Sequence, residues 1–185
     1  SMALGIHNGG GYHGDERNNN KVLQGRLTLR PLPDALPGFQ VSGLGILGKG
    51  NQDGSDPEIP DWEVFNLFLS YQHALGALTA QFATGNGNQK GTWIEADDPS
   101  MASEFDGFSF FGEQRFGPGW RFVAGFDHLN RTPGSLDLSF NRVHAGIGYD
   151  LGNQNILLFD LDHRNWADDG RDDDTRFQVV MQVKF

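Results

Sequence analysis

The charged residues of this chain fall where a period of two can gather them. Arg26, Arg30, Arg121, Arg142, Arg164, Arg176 and Lys184 sit at alternate positions of segments whose intervening residues are mostly apolar. Asp127, Asp160, Asp162, His144, Gln178 and Gln182 share the parity of their neighbouring basic residues, as do Glu113 and Asp150. Period two is the side-chain repeat of a strand, so each set projects to one face. A wall of fixed guanidinium groups among carboxylates biases which small polar or anionic solutes pass along it. The competing expectation is that these arginines pair with the aspartates and only hold the wall together.

Other residues suggest other chemistry. Asp160, Asp162 and His163, and likewise Asp127 and His128, set a histidine beside carboxylates, as a general base holding a water requires. Alternation separates them, turning both histidines away from the acids. No serine sits in a nucleophile-like context. Asn51–Glu58 and Asp168–Asp174 alternate oxygen donors with glycine, which makes Asp53, Asp56, Asp169 and Asp172 candidate calcium ligands. Neither loop completes the twelve-residue pattern. No histidine cluster has transition-metal spacing. Zero cysteine removes thiolate sites and disulfides, and Gly85-Asn86-Gly87-Asn88 lacks the Lys-Ser/Thr of a phosphate loop. No cofactor is expected.

The elements that must carry these residues are strands. Alternating segments recur at 2–8, 21–31, 39–48, 63–73, 77–85, 105–115, 119–129, 138–150, 155–164 and 176–185, and none has a sustained helical period. Around 63–69 apolar groups are successive rather than alternate, and branched and aromatic content favours strand there. Short connections, Leu32–Gly38, His73–Gly76, Phe116–Gly119 and Asp150–Asn153, alternate with long ones. The long set, Asn8–Asn20, Gly50–Trp62, Gly85–Glu104, Asn130–Asp137 and Asn165–Thr175, is rich in Gly, Asn and Asp. Transmembrane β-barrels have this asymmetry, with short periplasmic turns and long outer loops. Trp120, Tyr149 and Phe185 fall at the short-turn ends, where an aromatic girdle belongs.

Composition permits that reading. The 185 residues carry 26 glycines, 15 phenylalanines and a formal charge of −10. The acidic balance argues against nucleic acid as a partner, because no basic face exists to neutralise phosphates. No apolar run reaches the length of a membrane helix. The mean hydropathy of −0.47 suggests a soluble protein only until strands are considered, since a barrel shows lipid every second residue.

The chain resembles Gram-negative outer-membrane porins. Asn8-Gly9-Gly10-Gly11-Tyr12-His13, Gln24-Gly25-Arg26-Leu27-Thr28-Leu29-Arg30-Pro31, Phe126-Asp127-His128-Leu129 and the closing Gln182-Val183-Lys184-Phe185 are similar to the C-terminal part of the phosphate-selective-porin-like group. The resemblance implies an all-β fold, an antiparallel transmembrane β-barrel with about ten strands in this chain. It implies residence in the outer membrane, lipids and the barrel assembly machinery as partners, and a terminal Phe185 that belongs to the assembly signal.

Ser1-Met2 is expected to be the scar of an expression tag, and no signal peptide is expected. Residues 1–185 make a single barrel unit, and a sixteen-stranded porin would need roughly 300 residues. The expectation is therefore the C-terminal portion of a larger barrel, with a complete ten-stranded barrel as the competing form. The expected function is a channel for passive diffusion of small polar or anionic solutes, and not catalysis. The alternatives are a ten-stranded outer-membrane protease of the omptin type and a non-conducting structural barrel. In the last, Trp62, Trp93 and Trp166 on the outer loops would meet a partner protein or a further copy.

Overall fold

Where alternation marks strands, strands form. The computed structural model describes the chain except residues 11–14, 55–58, 132–137, 169 and 185, and contains no helix among the described residues. The ten strands are β1 (Met2–His7), β2 (Val22–Leu29), β3 (Phe39–Lys49), β4 (Asp61–His73), β5 (Gly76–Asn86), β6 (Glu104–Phe116), β7 (Trp120–Asn130), β8 (Phe140–Gly152), β9 (Asn155–Trp166) and β10 (Asp174–Gln182).

Each strand pairs antiparallel with the next in sequence, giving one ten-stranded sheet in the order β1 to β10. In such a meander, alternate connections lie at opposite ends. Residues 30–38, 74–75, 117–119 and 153–154 close the short end, and all five long connections gather at the other. At the β8–β9 turn both Asn153 and Gln154 have positive φ (54° and 66°), the geometry of a tight two-residue hairpin whose twist suits its flanking strands.

β1 and β10 pair with nothing beyond the sheet, so these residues form an open sheet and not a closed ten-stranded barrel. Two strand limits also differ from the alternation. β2 stops at Leu29, leaving Arg30 outside it, because Pro31 lacks an N–H and restricts the residue before it. β10 stops at Gln182; beyond it the backbone N–H of Lys184 donates to the side chain of Asn155 at 2.8 Å, where a ladder bond would otherwise run.

Residues opposite one another in register share a face. Following the pairs from Asp127 through Arg142 to Arg164 and Asp174 traces one face. The alternate residues trace the other: Leu4, Leu27, Leu47, Phe65, Leu67, Phe82, Phe110, Phe122, Ile147, Phe159, Phe177 and Val179. All of these are exposed, Phe177 by 85%. Among the described residues the buried hydrophobic side chains are Val22, Ile59 and Val123. Among the described residues no second layer covers the apolar side.

The accessible surface measures the same thing. It is 11871 Å². A globular monomer of 20.4 kDa exposes about 8,800 Å². A soluble sandwich would bury that difference between two sheets. Here the apolar face awaits a cover from outside the sheet.

β3 and β4 carry no charged residue on the polar side. Leu44, Ile46, Val64 and Phe68 lie there, with Ile46 opposite Val64 and Phe68 opposite Ser42. This explains the successive apolar residues of 63–69, since β4 presents apolar groups to both faces.

The uncovered face dictates solution behaviour. Without detergent the purified chain should be aggregated by size-exclusion chromatography with light scattering. With detergent above its critical concentration it should be monodisperse. A monodisperse detergent-free monomer would contradict the open apolar face.

Candidate functional site

The polar face from β6 to β10 holds the densest chemistry. Arg121, Arg142, Arg164, Arg176, Asp127, His144, Asp160, Asp162, Gln178 and Gln182 are all on it, and Arg26 joins them from β2. Arg30 and Lys184 lie past the ends of their strands. Phe185 is outside the described residues.

Arg142 is the centre of one cluster. Its Nε lies 3.0 Å from both oxygens of Asp162, and its Nη1 is 3.5 Å from Asp127. Asp127 also accepts a hydrogen bond from Ser109 Oγ at 2.6 Å. The Asp162 side chain is only 8% exposed, so the bidentate guanidinium replaces the water that its carboxylate has lost. A second cluster lies toward the short turns. Arg121 is 3.2 Å from Glu113 and 3.6 Å from Asp150, and Arg115 also meets Glu113 at 2.6 Å. Arg176 pairs with Asp174.

Small residues let these long side chains lie flat. Gly125 stands opposite His144 in register, and a Cβ there would come within 2.3 Å of the imidazole. Gly148 stands opposite Arg121, where a Cβ would sit 2.8 Å from its Cγ. The His144 ring then stacks on Phe111 at 6.0 Å. Glycine enrichment in the sequence is thus partly the space that charged side chains occupy.

The charges on this face balance. Arg26, Arg115, Arg121, Arg142, Arg164 and Arg176 share it with Glu113, Asp127, Asp150, Asp160, Asp162 and Asp174. The sequence pattern sets seven basic residues against five acids on this face; that excess is not present on the strands, because Arg30 and Lys184 lie beyond them and Asp174 adds an acid, while Arg115 adds a base. Arg26 and Arg164 make no ion pair within 4 Å among the described residues.

At the long-connection end the arginines behave differently. Arg164 lies over Phe140 at 4.8 Å and over Trp166 at 5.1 Å, Arg171 over Trp166 at 4.2 Å, and Arg131 over Trp93 at 4.3 Å. Phe140 and Trp166 are register partners with rings 5.3 Å apart, and Trp93 meets Phe105 at the same separation. Trp62 and Trp166, expected on the outer loops, lie instead within β4 and β9, where the strands run further than the alternation suggested; Trp62 meets His7 at 6.5 Å, and Trp93 is half-buried against Phe105. Burial of Arg131 pulls its guanidinium below the usual arginine range.

Comparison with protein-family models, curated proteins and solved structures gives no match. The porin resemblance therefore rests on the motifs that carry it.

The histidine–carboxylate clusters are not brought together. His128 bonds Asn141 and His163 bonds Thr175, both at 2.8 Å on the apolar face, while Asp127, Asp160 and Asp162 lie on the polar one. Of the calcium candidates, exposed Asp53 lies 3.7 Å from Arg17 and Asp172 is exposed. Asp56 and Asp169 lie outside the described residues. No group of three metal-ligating side chains forms among the described residues. Sequence reasoning missed Arg131 and Arg171, which lie past strand ends where alternation stops; of the two only Arg171, five residues after Trp166, stands near its tryptophan in the sequence.

Asp162→Asn should lower stability by about 1–2 kcal/mol. Losing one partner of a buried ion pair is costly, and the partial exposure of Arg142 reduces that cost. Urea unfolding of the detergent-refolded chain measures it, and an unchanged midpoint would remove Asp162 as the anchor of Arg142.

Proposed function

We propose that this chain forms the wall of a porin-like barrel in the outer membrane of a Gram-negative bacterium, along whose polar face small polar and anionic solutes diffuse passively. One observation carries the reading. Among the described residues the sheet has one apolar face with no cover, and an opposite face that gathers the strand arginines, aspartates and carboxamides among some apolar residues such as Ile46, Phe68 and Phe111. Hydrocarbon suits the first and water the second.

The details support it. On the apolar face, Trp120 and Tyr149 pack at 4.8 Å beside the short turns, with Phe116 and Tyr71 at the same level. Aromatic rings of this kind settle at a membrane–water boundary. At the opposite end of the same face the residues become Glu63, Asn86, Glu104, Asp106 and Asn141, so the apolar band has two polar limits. The strands of β3 to β9 are long enough to span at a tilt.

The two open edges bear on pore size. Every backbone group within hydrocarbon needs a partner, so the edges of β1 and β10 must be joined by further strands or by each other. About eight strands leave room only for side chains, whereas sixteen to eighteen leave an aqueous channel. Free solute passage thus favours a barrel with strands additional to these ten.

Selectivity follows from the charge placement. Most wall arginines are neutralised by neighbouring acids, so the lumen should discriminate weakly by sign. The unneutralised guanidiniums at the long-loop end favour anions locally, against the acids of the connections there, so that any anion preference is small. In planar bilayers the refolded protein should give discrete conductance steps, with a reversal potential in a KCl gradient shifted modestly to the anion side. Inserted protein without conductance would support a non-conducting scaffold, and strong cation selectivity would overturn the anion preference.

A further inference from the structure

Arg131, Arg164 and Arg171 differ from the other arginines at this end of the polar face. Each guanidinium lies over an aromatic ring, and none makes an ion pair within 4 Å among the described residues. Elsewhere on the face Arg115, Arg121, Arg142 and Arg176 have carboxylate partners, and Arg26, which has none, lies over no aromatic ring among the described residues. Arg131 is 7% exposed, yet its Nε has no hydrogen-bond partner, and the Nε of Arg164 is likewise buried and unmet. Guanidinium donors left open in this way are costly unless something occupies them.

The three groups belong to one patch. Leu129 pairs with Phe140, and Phe140 with Trp166, across β7, β8 and β9. Arg131 continues β7 two residues beyond Leu129, while Arg164 precedes Trp166 by two on β9. Arg164 and Arg171 share the Trp166 ring. The patch is therefore a band across the long-loop end of the face with two guanidinium–aromatic groups, Arg131 with Trp93, and Arg164 and Arg171 with Trp166.

We propose that this band captures planar organic carboxylates before they pass along the wall. The inference rests on the channel reading and names its preferred solute class. Stacking on an aromatic ring fixes a guanidinium and spends one of its faces. On the half-buried Arg164 and Arg171 the N–H edges remain to meet a carboxylate in the plane, two bonds at a time, while Arg131 is buried beside them. The free face adds a further layer, which a flat ligand body fills and a compact tetrahedral anion does not. The neutralised wall below holds such an anion less tightly, so capture at the mouth does not become a trap.

Calorimetric titration of the detergent-refolded chain tests this with benzoate, its neutral analogue benzamide, and inorganic phosphate. Benzoate should bind at least about tenfold more tightly than either, the value of one charge-assisted bond. Arg171→Gln, in a connection outside the strands, and Arg164→Gln should each weaken benzoate about tenfold, while Arg17→Gln on another loop should not. Arg131→Gln is added if it refolds, and the other two variants decide the outcome if it does not. Equal affinity for benzamide would overturn the role of charge, and equal or tighter phosphate would overturn the preference for a planar anion. Unaffected binding in Arg164→Gln and Arg171→Gln would place any site elsewhere. Conductance in plain KCl is scored separately. Channels that ignore benzoate refute only the capture inference, whereas their absence from inserted protein refutes passage itself.

Discussion

A slip of one residue in the pairings from β7 to β10 would carry arginine and aspartate onto the apolar face and phenylalanine onto the polar one. Register is therefore the constraint on which the molecule depends, and the chain keeps it through nine consecutive antiparallel pairs. Because no core fills the space between layers, packing contributes little to that choice. The weight falls on backbone ladders and on cross-strand pairs such as Trp120 with Tyr149 and Asp127 with Arg142. A one-register error costs twice, since it exposes a charge where a ring belongs and a ring where a charge belongs.

The arginines show how the same side chain is used in two ways. Beside Asp162 and Asp127, Arg142 is a strut, because its charge is neutralised and its geometry fixed by the bidentate contact. Over Phe140 and Trp166, Arg164 keeps its full charge, since a π face orients a guanidinium without cancelling it. Net charge along the face thus changes between the strands and the long-loop end even though the residue type does not. The total of −10 conceals this, because the acids that dominate it are spread through the loops and the strand ends.

Much of this was legible in the sequence. Ten strands, the long and short connections and the face of each wall residue follow from period two, which is a local property. What could not be read depends on partners. Arg30 keeps the parity of Arg26, yet Pro31 ends the ladder before it. Lys184 keeps the parity of Gln182, yet the Asn155 side chain takes the place of a backbone partner. Glu113 gains two arginines only because β6 and β7 meet through a tight turn. Arg131 and Arg171 fall outside any strand, so no alternation marks them, and only their contacts with Trp93, folded onto Phe105, and with Trp166 at the end of β9 bring them to the polar face.

The edge strands bring the fold and the proposed setting together. On β1, Met2, Leu4 and Ile6 are exposed by 73%, 68% and 72%, and on β10 Phe177 and Val179 by 85% and 67%, more than most apolar side chains further in. These values reflect missing neighbours, since an inner strand shades its side chains on two sides and an edge strand on one. The same edges leave a row of backbone donors and acceptors unpaired, a liability in water and a larger one in hydrocarbon. Natural sheets blunt such edges with charge, proline or bulges. Neither β1 nor β10 has a proline, and their charged residues, His7 aside, are Asp174 and Arg176 on the polar face. Edges left so open are suited to continuation, and strands added at β1 and β10 would extend the apolar band and the charged wall together without a change of register.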